Sequence, residues 1–319
     1  MASHSSKAVI YAALAGNLLI AVSKAGAAWF TGSSAMLSEA IHSLVDTGNQ
    51  GLLLFGLRQA AQPASAEHPF GHGLQLYFWT FIVAIMIFGL GGGVALFEGV
   101  DKILHPRPLR DPWVNYAVLA VSVGFEGYSW SVAFRAFRAS QGRRGLVDAV
   151  QASKDPTVFT VLFEDTAALL GLLVAAVGIA AGQFFDLEVM DGVASVIIGL
   201  LLTATAGLLA YESQSLLTGE GVQPEVRASI RRLAAAEPGV EQLNELLTMH
   251  FGPRDVLVAL SLDFEDRQPA SSVEDTVSRL EQRIKTAHPE VTRVFIEAQS
   301  LDASRRAATL SAAAAAAAS

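Results

Sequence analysis

Six apolar stretches, separated by short polar connections, fill the first two thirds of the chain. They run near Ala8–Phe30, Ala35–Leu57, Tyr77–Phe97, Asn115–Phe134, Val158–Gly182 and Val193–Leu217. An α-helix needs about 20 residues to cross a hydrocarbon core about 30 Å thick, and each stretch is that long. The pattern changes after Gly221, where charge becomes frequent. Pro224–Ala236 reads as a helix with proline in its first turn. Leu243–Phe251 and Val256–Phe264 read as strands, the second ending at a charged EDRQP turn. Ser272–Ala287 reads as an amphipathic helix with Val273, Val277, Leu280 and Ile284 on one side, and Val291–Ala298 as a third strand. The pattern predicts an α-helical membrane protein, with six transmembrane helices over residues 1–221. A small cytosolic α+β domain of order α-β-β-α-β follows over residues 222–300. Residues 301–319 read as a low-complexity tail, unstructured or left over from cloning, with no role.

Composition sharpens this picture. Hydrophobic residues make up 52% of the 319 and charged residues only 16%, against about 25% charged in a soluble domain. The net charge of −8 argues against nucleic-acid binding. With no cysteine in the chain, disulfides and thiolate zinc sites are excluded. Any metal is therefore held by nitrogen and oxygen. The apolar run from Ala8 to Phe30 exceeds the roughly 7–15-residue core of a signal peptide, and Lys24 interrupts it, so it reads as the first membrane helix. Lys7, Arg58, Arg135, Arg138, Arg143, Arg144 and Lys154 fall on the side of the N-terminus, and Lys102, Arg107 and Arg110 on the other. That bias predicts both termini inside, with HPRPLRDP as a counter-signal.

The chemistry lies in ionisable residues at membrane depth. Such groups cost about 2.5–3.5 kcal/mol each on insertion scales, usually face a bundle interior and often mark an ion path. His42 and Asp46 are four apart in SEAIHSLVDTGNQ and share one helix face. Imidazole and carboxylate suit zinc, and carboxylates also suit manganese. Two ligands from one helix do not complete a tetrahedron. Asp165 and its neighbour Glu164, in VLFEDTAALLG, are the partners a second helix offers. The alternative is a structural hydrogen-bonded pair of His42 and Asp46. A further cluster is AEHPFGHG, where His68 and His72 are four apart beside Glu67. A turn at Pro69 and Gly71 would present both rings to solvent, as a surface metal site or as two incidental histidines. Glu126 reads as a partner for Lys24, structural or on a proton path. Asn17 and Asn49 read as helix-bridging amides, with Asn49 supporting Asp46. Asp155 and Asp191 read as helix caps. GLGGG at Gly89–Gly93 lacks the Lys-Ser/Thr of a phosphate loop and reads as close helix packing or a flexible point. No enzyme motif appears.

These residues together resemble the cation diffusion facilitator family. The resemblance rests on six spans, HSLVD on the second, HPFGHG after it, an acidic fifth span and the α-β-β-α-β ending. DPTVFTVLFEDTAALLG is similar to the subgroup holding the mitochondrial zinc transporters and their bacterial relatives. The resemblance implies a homodimer whose protomers each export a divalent metal, most readily zinc, from the cytosol in exchange for protons by alternating access. The metal is then substrate, and no tightly bound cofactor is implied. In the central site His42 and Asp46 match the pair on the second span and Asp165 matches one residue of the fifth. The fourth position is Val161, and either Glu164, with its longer reach, or a water fills the place. His68 and His72 match the family's loop site, with Ser65 where an acid is common and Glu67 as its substitute. His250, His288 and Glu297 predict a C-terminal domain that dimerises without a well-formed metal centre. His42, with an ordinary pKa near about 6.5, is the expected proton-coupled ligand. A bacterial inner membrane, with N- and C-termini cytosolic, is the expected location. The rival is a membrane-anchored regulatory or assembly protein that binds metal without moving it, and manganese or iron is the rival cargo.

Overall fold

The computed structural model describes residues 2–141 and 154–300. Arg143 and Arg144 of the charge bias, and the tail at 301–319, lie outside the described residues. The chain divides into two compact units.

The first unit is helical. It contains α1 (Ala2–Thr31), α2 (Ser34–Ala60), α3 (Leu74–Met86), a π-helical turn (Ile87–Gly92), α4 (Gly93–Leu104), α5 (Pro112–Gln141), α6 (Pro156–Phe185) and α7 (Val189–Leu217). The π turn joins α3 and α4 into one continuous segment, Leu74–Leu104. With it, Pro112–Arg135, Phe159–Phe185 and Val189–Leu217 are long and apolar enough to cross a membrane. The expectation of six spans is thus met on hydropathy, among the described residues, by four helices. α2 falls short because it buries Ser34, Ser38, Glu39, His42, Ser43, Asp46 and Asn49 along its length. Large apolar side chains such as Phe97, Phe125, Leu173 and Leu200 stand exposed on the outside of the bundle. That inside-out pattern suits a lipid surround, and closed helical hydrogen bonding is what such a surround demands.

α2 is the centre of the unit. It packs against α1, the π turn, α4 and α6. Asp191, in the first turn of α7, holds the start of α2 rather than merely capping its own helix. It accepts from Ser33 Oγ at 2.5 Å, Ser34 N at 2.7 Å and Ser34 Oγ at 2.9 Å. Lys102 Nζ donates to the Gly32 carbonyl at 2.8 Å at the same end. Asp155 caps α6 as expected, accepting from Thr157 N at 3.1 Å. The GLGGG segment serves close packing. A Cβ at Gly92 would sit 2.6 Å from Thr203 Oγ1, and beyond that segment one at Gly99 of α4 would sit 2.7 Å from Val196 N. The absence of side chains there lets α4 and α7 approach backbone to backbone, as membrane helices do through small residues.

The second unit combines residues 62–74 with the chain from residue 215 onward. Its elements are α8 (Pro224–Ala235), β1 (Val240–Gly252), β2 (Asp255–Phe264), α9 (Ala270–Ala287) and β3 (Val291–Ala298). The order is the expected α-β-β-α-β, and the expected boundaries agree to within a few residues. β2 is central, antiparallel to β1 and parallel to β3. Val256, Val258, Leu260 and Leu262 alternate on β2 and are buried with Ile230 and Ala234 of α8 and Leu280 and Ile284 of α9. That period of two puts one sheet face under both helices.

Candidate metal pathway

α2 presents a polar stripe at helical spacing: Glu39, His42, Asp46 and Asn49. Their exposures are 0%, 1%, 8% and 0%. Steps of three, four and three residues keep them on one face, over about 15 Å of helix. His42 Nδ1 lies 3.4 Å from Asp46 Oδ1. Neither ring nitrogen of His42, nor Asp46 Oδ1, has a hydrogen-bond partner among the described residues. Nor do Asn49 Oδ1 and Glu39 Oε1. An unsatisfied buried polar atom costs about 1–3 kcal/mol, so a run of them on one face calls for an explanation.

The two acids of α6 enter the same region from different sides. Glu164 is 3% exposed and its Oε1 accepts from Asn49 Nδ2 at 2.8 Å, tying it to α2. Asp165 Oδ2 accepts from Ser129 Oγ of α5 at 2.8 Å. Asp46 interacts electrostatically with Glu164, Glu126 and Asp165. The predicted central residues are therefore gathered into one buried cluster. They are not drawn together as ligands: among the described residues no three His, Asp or Glu side chains stand close enough to hold one ion. Val161 contributes only hydrocarbon.

Lys24 departs from expectation. Its ammonium pairs with Glu39 Oε2 at 3.1 Å and donates to Ser43 Oγ at 2.8 Å, and Glu126 is a more distant electrostatic neighbour. Glu39 and Ser129 were invisible to motif reading. Glu39 was nonetheless discoverable, standing three before His42 on the stripe. Ser129 carried no signal, because its role depends on how α5 meets α6.

The loop after α2 holds the rings of His68 and His72 side by side, tilted by 36° with centroids 4.4 Å apart. The expectation of two solvent-facing rings holds for His68 only. His72 is half-buried, and its Nδ1 has no partner. Ser65 closes the turn, accepting from His68 N at 3.1 Å. Glu67 is exposed and, among the described residues, joins no metal-holding group. Phe70 fastens the loop to the sheet, stacking on Phe251 of β1 at 5.0 Å between centroids. Arg293 of β3 lies over the Phe70 ring at 5.6 Å and donates to the Phe70 carbonyl at 3.2 Å. A Cβ on Gly73 would overlap the Phe251 carbonyl. Gly73→Ala is therefore expected to unseat the loop at a cost of about 1–3 kcal/mol. Hydrogen exchange across residues 62–74 should speed up roughly tenfold or more, and unchanged exchange would contradict the seating. On the sheet itself His250 is buried with Nδ1 near the Gly252 carbonyl at 3.3 Å, and His288 Nε2 meets Ser229 Oγ at 2.9 Å.

Apolar helices around a buried ionisable stripe place the chain in the class of membrane transport proteins. The family model described as the cation efflux transmembrane domain matches residues 10–218, and the chain belongs to that cation efflux family. It is 33% identical over 243 residues to the mouse protein named proton-coupled zinc antiporter SLC30A9, mitochondrial, covering 75% of this chain and 43% of that one. Metal tolerance protein C4 of Arabidopsis thaliana is 28% identical over 263 residues, covering 82% of this chain and 57% of that one. Cation-efflux pump FieF of Escherichia coli is 27% identical over 285 residues, covering 89% of each. The chain spans less than half the length of the mitochondrial relatives it matches. The resemblance drawn from HSLVD and HPFGHG, including its mitochondrial-type and bacterial branches, is therefore upheld.

Proposed function

We propose that this protein exports a divalent metal cation, zinc first, in exchange for protons. The observation that carries the reading is the row of unsatisfied lone pairs at His42 and Asp46, buried opposite Glu164 and Asp165. Metal binding requires neutral imidazole and ionised carboxylate, so proton binding and metal binding exclude one another on the same atoms. Rotation of Asp165 away from Ser129 and of Glu164 away from Asn49 would bring one nitrogen and three oxygens onto one ion. Glu164 then stands in for the ligand lacking at Val161. A donor set of one imidazole and carboxylates suits zinc and admits manganese or iron. Alternating access by movement of the helices around this site then exposes the ion to either side. We further propose that His68 and His72 form a loop cation site, and that the protein acts as a homodimer in a bacterial inner membrane with both termini cytosolic. The C-terminal unit would serve as the dimer clamp, without a metal centre of its own.

Uptake into proteoliposomes, across zinc, manganese, iron(II) and cobalt, tests the reading. Zinc should accumulate in sealed vesicles, and faster when the lumen is acidic, because protons leave as metal enters. Stoichiometric dye quenching with no accumulation, whatever the gradient, would instead establish the metal-binding regulator.

A further inference from the structure

Among the described residues, Lys24 is the one lysine of the buried central cluster at membrane depth, and it stands on α1, outside the pair of helices that carry the predicted ligands. Its side chain is fully buried. The ammonium sits between Glu39 Oε2 at 3.1 Å and Ser43 Oγ at 2.8 Å. Glu39 is one helical turn before His42, and Ser43 directly follows it. The charge therefore lies beside the metal-binding stripe, and it acts electrostatically on both His42 and Asp46. The charged and titratable groups facing it are Glu39, His42 and Asp46 from α2 and Glu126 from α5. α6 offers Gly171 at this level, where a Cβ would overlap Glu39 Oε1. The bare glycine backbone is what lets the Glu39 carboxylate occupy this place.

A buried ion pair is a poor brace. Two apolar side chains of similar volume are often as stable or more so, because the desolvation penalty vanishes. A charge that repels a neighbouring cation, by contrast, has a definite use in a transporter, which must release what it binds. We propose, resting on the export reading above, that Lys24 is a tethered counter-cation. Parked on Glu39 and Ser43, it opposes the cargo cation at His42 and Asp46, holding affinity down and speeding release. Glu39 keeps the ammonium at its distance; without Glu39 it is free to swing onto the carboxylate of Asp46 and compete directly.

This assigns opposite signs to two neighbouring substitutions. Zinc affinity is measured on the purified full chain by competition with a chromophoric chelator, and turnover in proteoliposomes. Lys24→Met should bind zinc about tenfold tighter and turn over severalfold more slowly, while Lys24→Arg, which keeps the charge, should bind near the wild-type level. Glu39→Gln should bind zinc severalfold more weakly. The double variant Lys24→Met, Glu39→Leu removes the pair as a unit and controls for folding. It should melt at the wild-type temperature and keep the tightened binding. If the single variants lose melting temperature and flux together and the double restores both, Lys24 is only a brace and the proposal falls. Wild-type flux with unchanged zinc affinity in Lys24→Met also sinks it while leaving the export reading intact. A wild-type protein that fails to accumulate zinc overturns the export reading itself.

Discussion

Replacing His42 and Asp46 together by alanine should abolish zinc flux and leave the helical unit folded. The two residues supply three unsatisfied atoms, the two imidazole nitrogens and Asp46 Oδ1, on a face of α2 that solvent does not reach. Alanine removes those atoms without orphaning a hydrogen-bonded partner, since none is bonded to them. The substitution is thus relieved of the usual penalty of about 1–3 kcal/mol for stranding a buried group. The thermal melt in detergent should stay at the wild-type temperature or rise. Zinc affinity should drop by more than the roughly 10–100-fold typical of losing an outer-shell partner, because both proposed ligands of α2 go at once. Flux into sealed vesicles should fall to the level of empty liposomes. Wild-type flux from this double variant would remove the central site from the mechanism altogether.

The electrostatics of the helical unit make the same point from another side. Glu39, Asp46, Glu126, Glu164 and Asp165 are all buried, and Lys24 is their cationic counterpart in the cluster. So many carboxylates do not remain ionised together in a medium that solvates charge poorly. Some carry protons, or a divalent ion neutralises them. That imbalance supports the proposed exchange of cation for protons. The polar tethers give each acid a resting partner: Asn49 for Glu164 and Ser129 for Asp165.

Periodicity was a good guide wherever one face of an element decided its burial. β2 shows this well, since Val256, Val258, Leu260 and Leu262 alternate inward and the strand ends at Phe264, as its charged turn signalled. α2 was legible for the opposite reason, because polar residues at membrane depth advertise a site. His42 and Asp46 could be named as candidates from their spacing at membrane depth. What spacing could not supply was the third dimension. Asp165 turns to Ser129 on α5 and Lys24 turns to Glu39 rather than Glu126, and both choices depend on interhelical packing between segments far apart in sequence. The 62–74 loop was hidden for a similar cause. Its stacking of Phe70 on Phe251 joins residues nearly two hundred positions apart, and nothing in HPFGHG marks the phenylalanine as an anchor.

The second large effect expected is on pH. Zinc affinity should weaken as pH falls from about 7.5 to about 5.5, because protons and metal compete for the same buried donor atoms. The sign follows from competition. Each proton that must leave before the metal binds lowers the apparent affinity by about tenfold per unit of pH below the pKa of its site. A single displaced proton therefore gives a slope of one in log affinity against pH, and two give a slope of two. His42→Asn keeps an oxygen donor at that position but removes the imidazole and any proton it exchanges for metal. Its binding should be weaker overall and its slope shallower by close to one. The readout is equilibrium zinc binding by the full chain at several pH values, together with flux under imposed gradients. Weaker binding with the slope unchanged would mean that His42 binds metal without exchanging a proton for it. Slope and gradient dependence lost together, with zinc still bound, would identify the imidazole as the group that links the two ions.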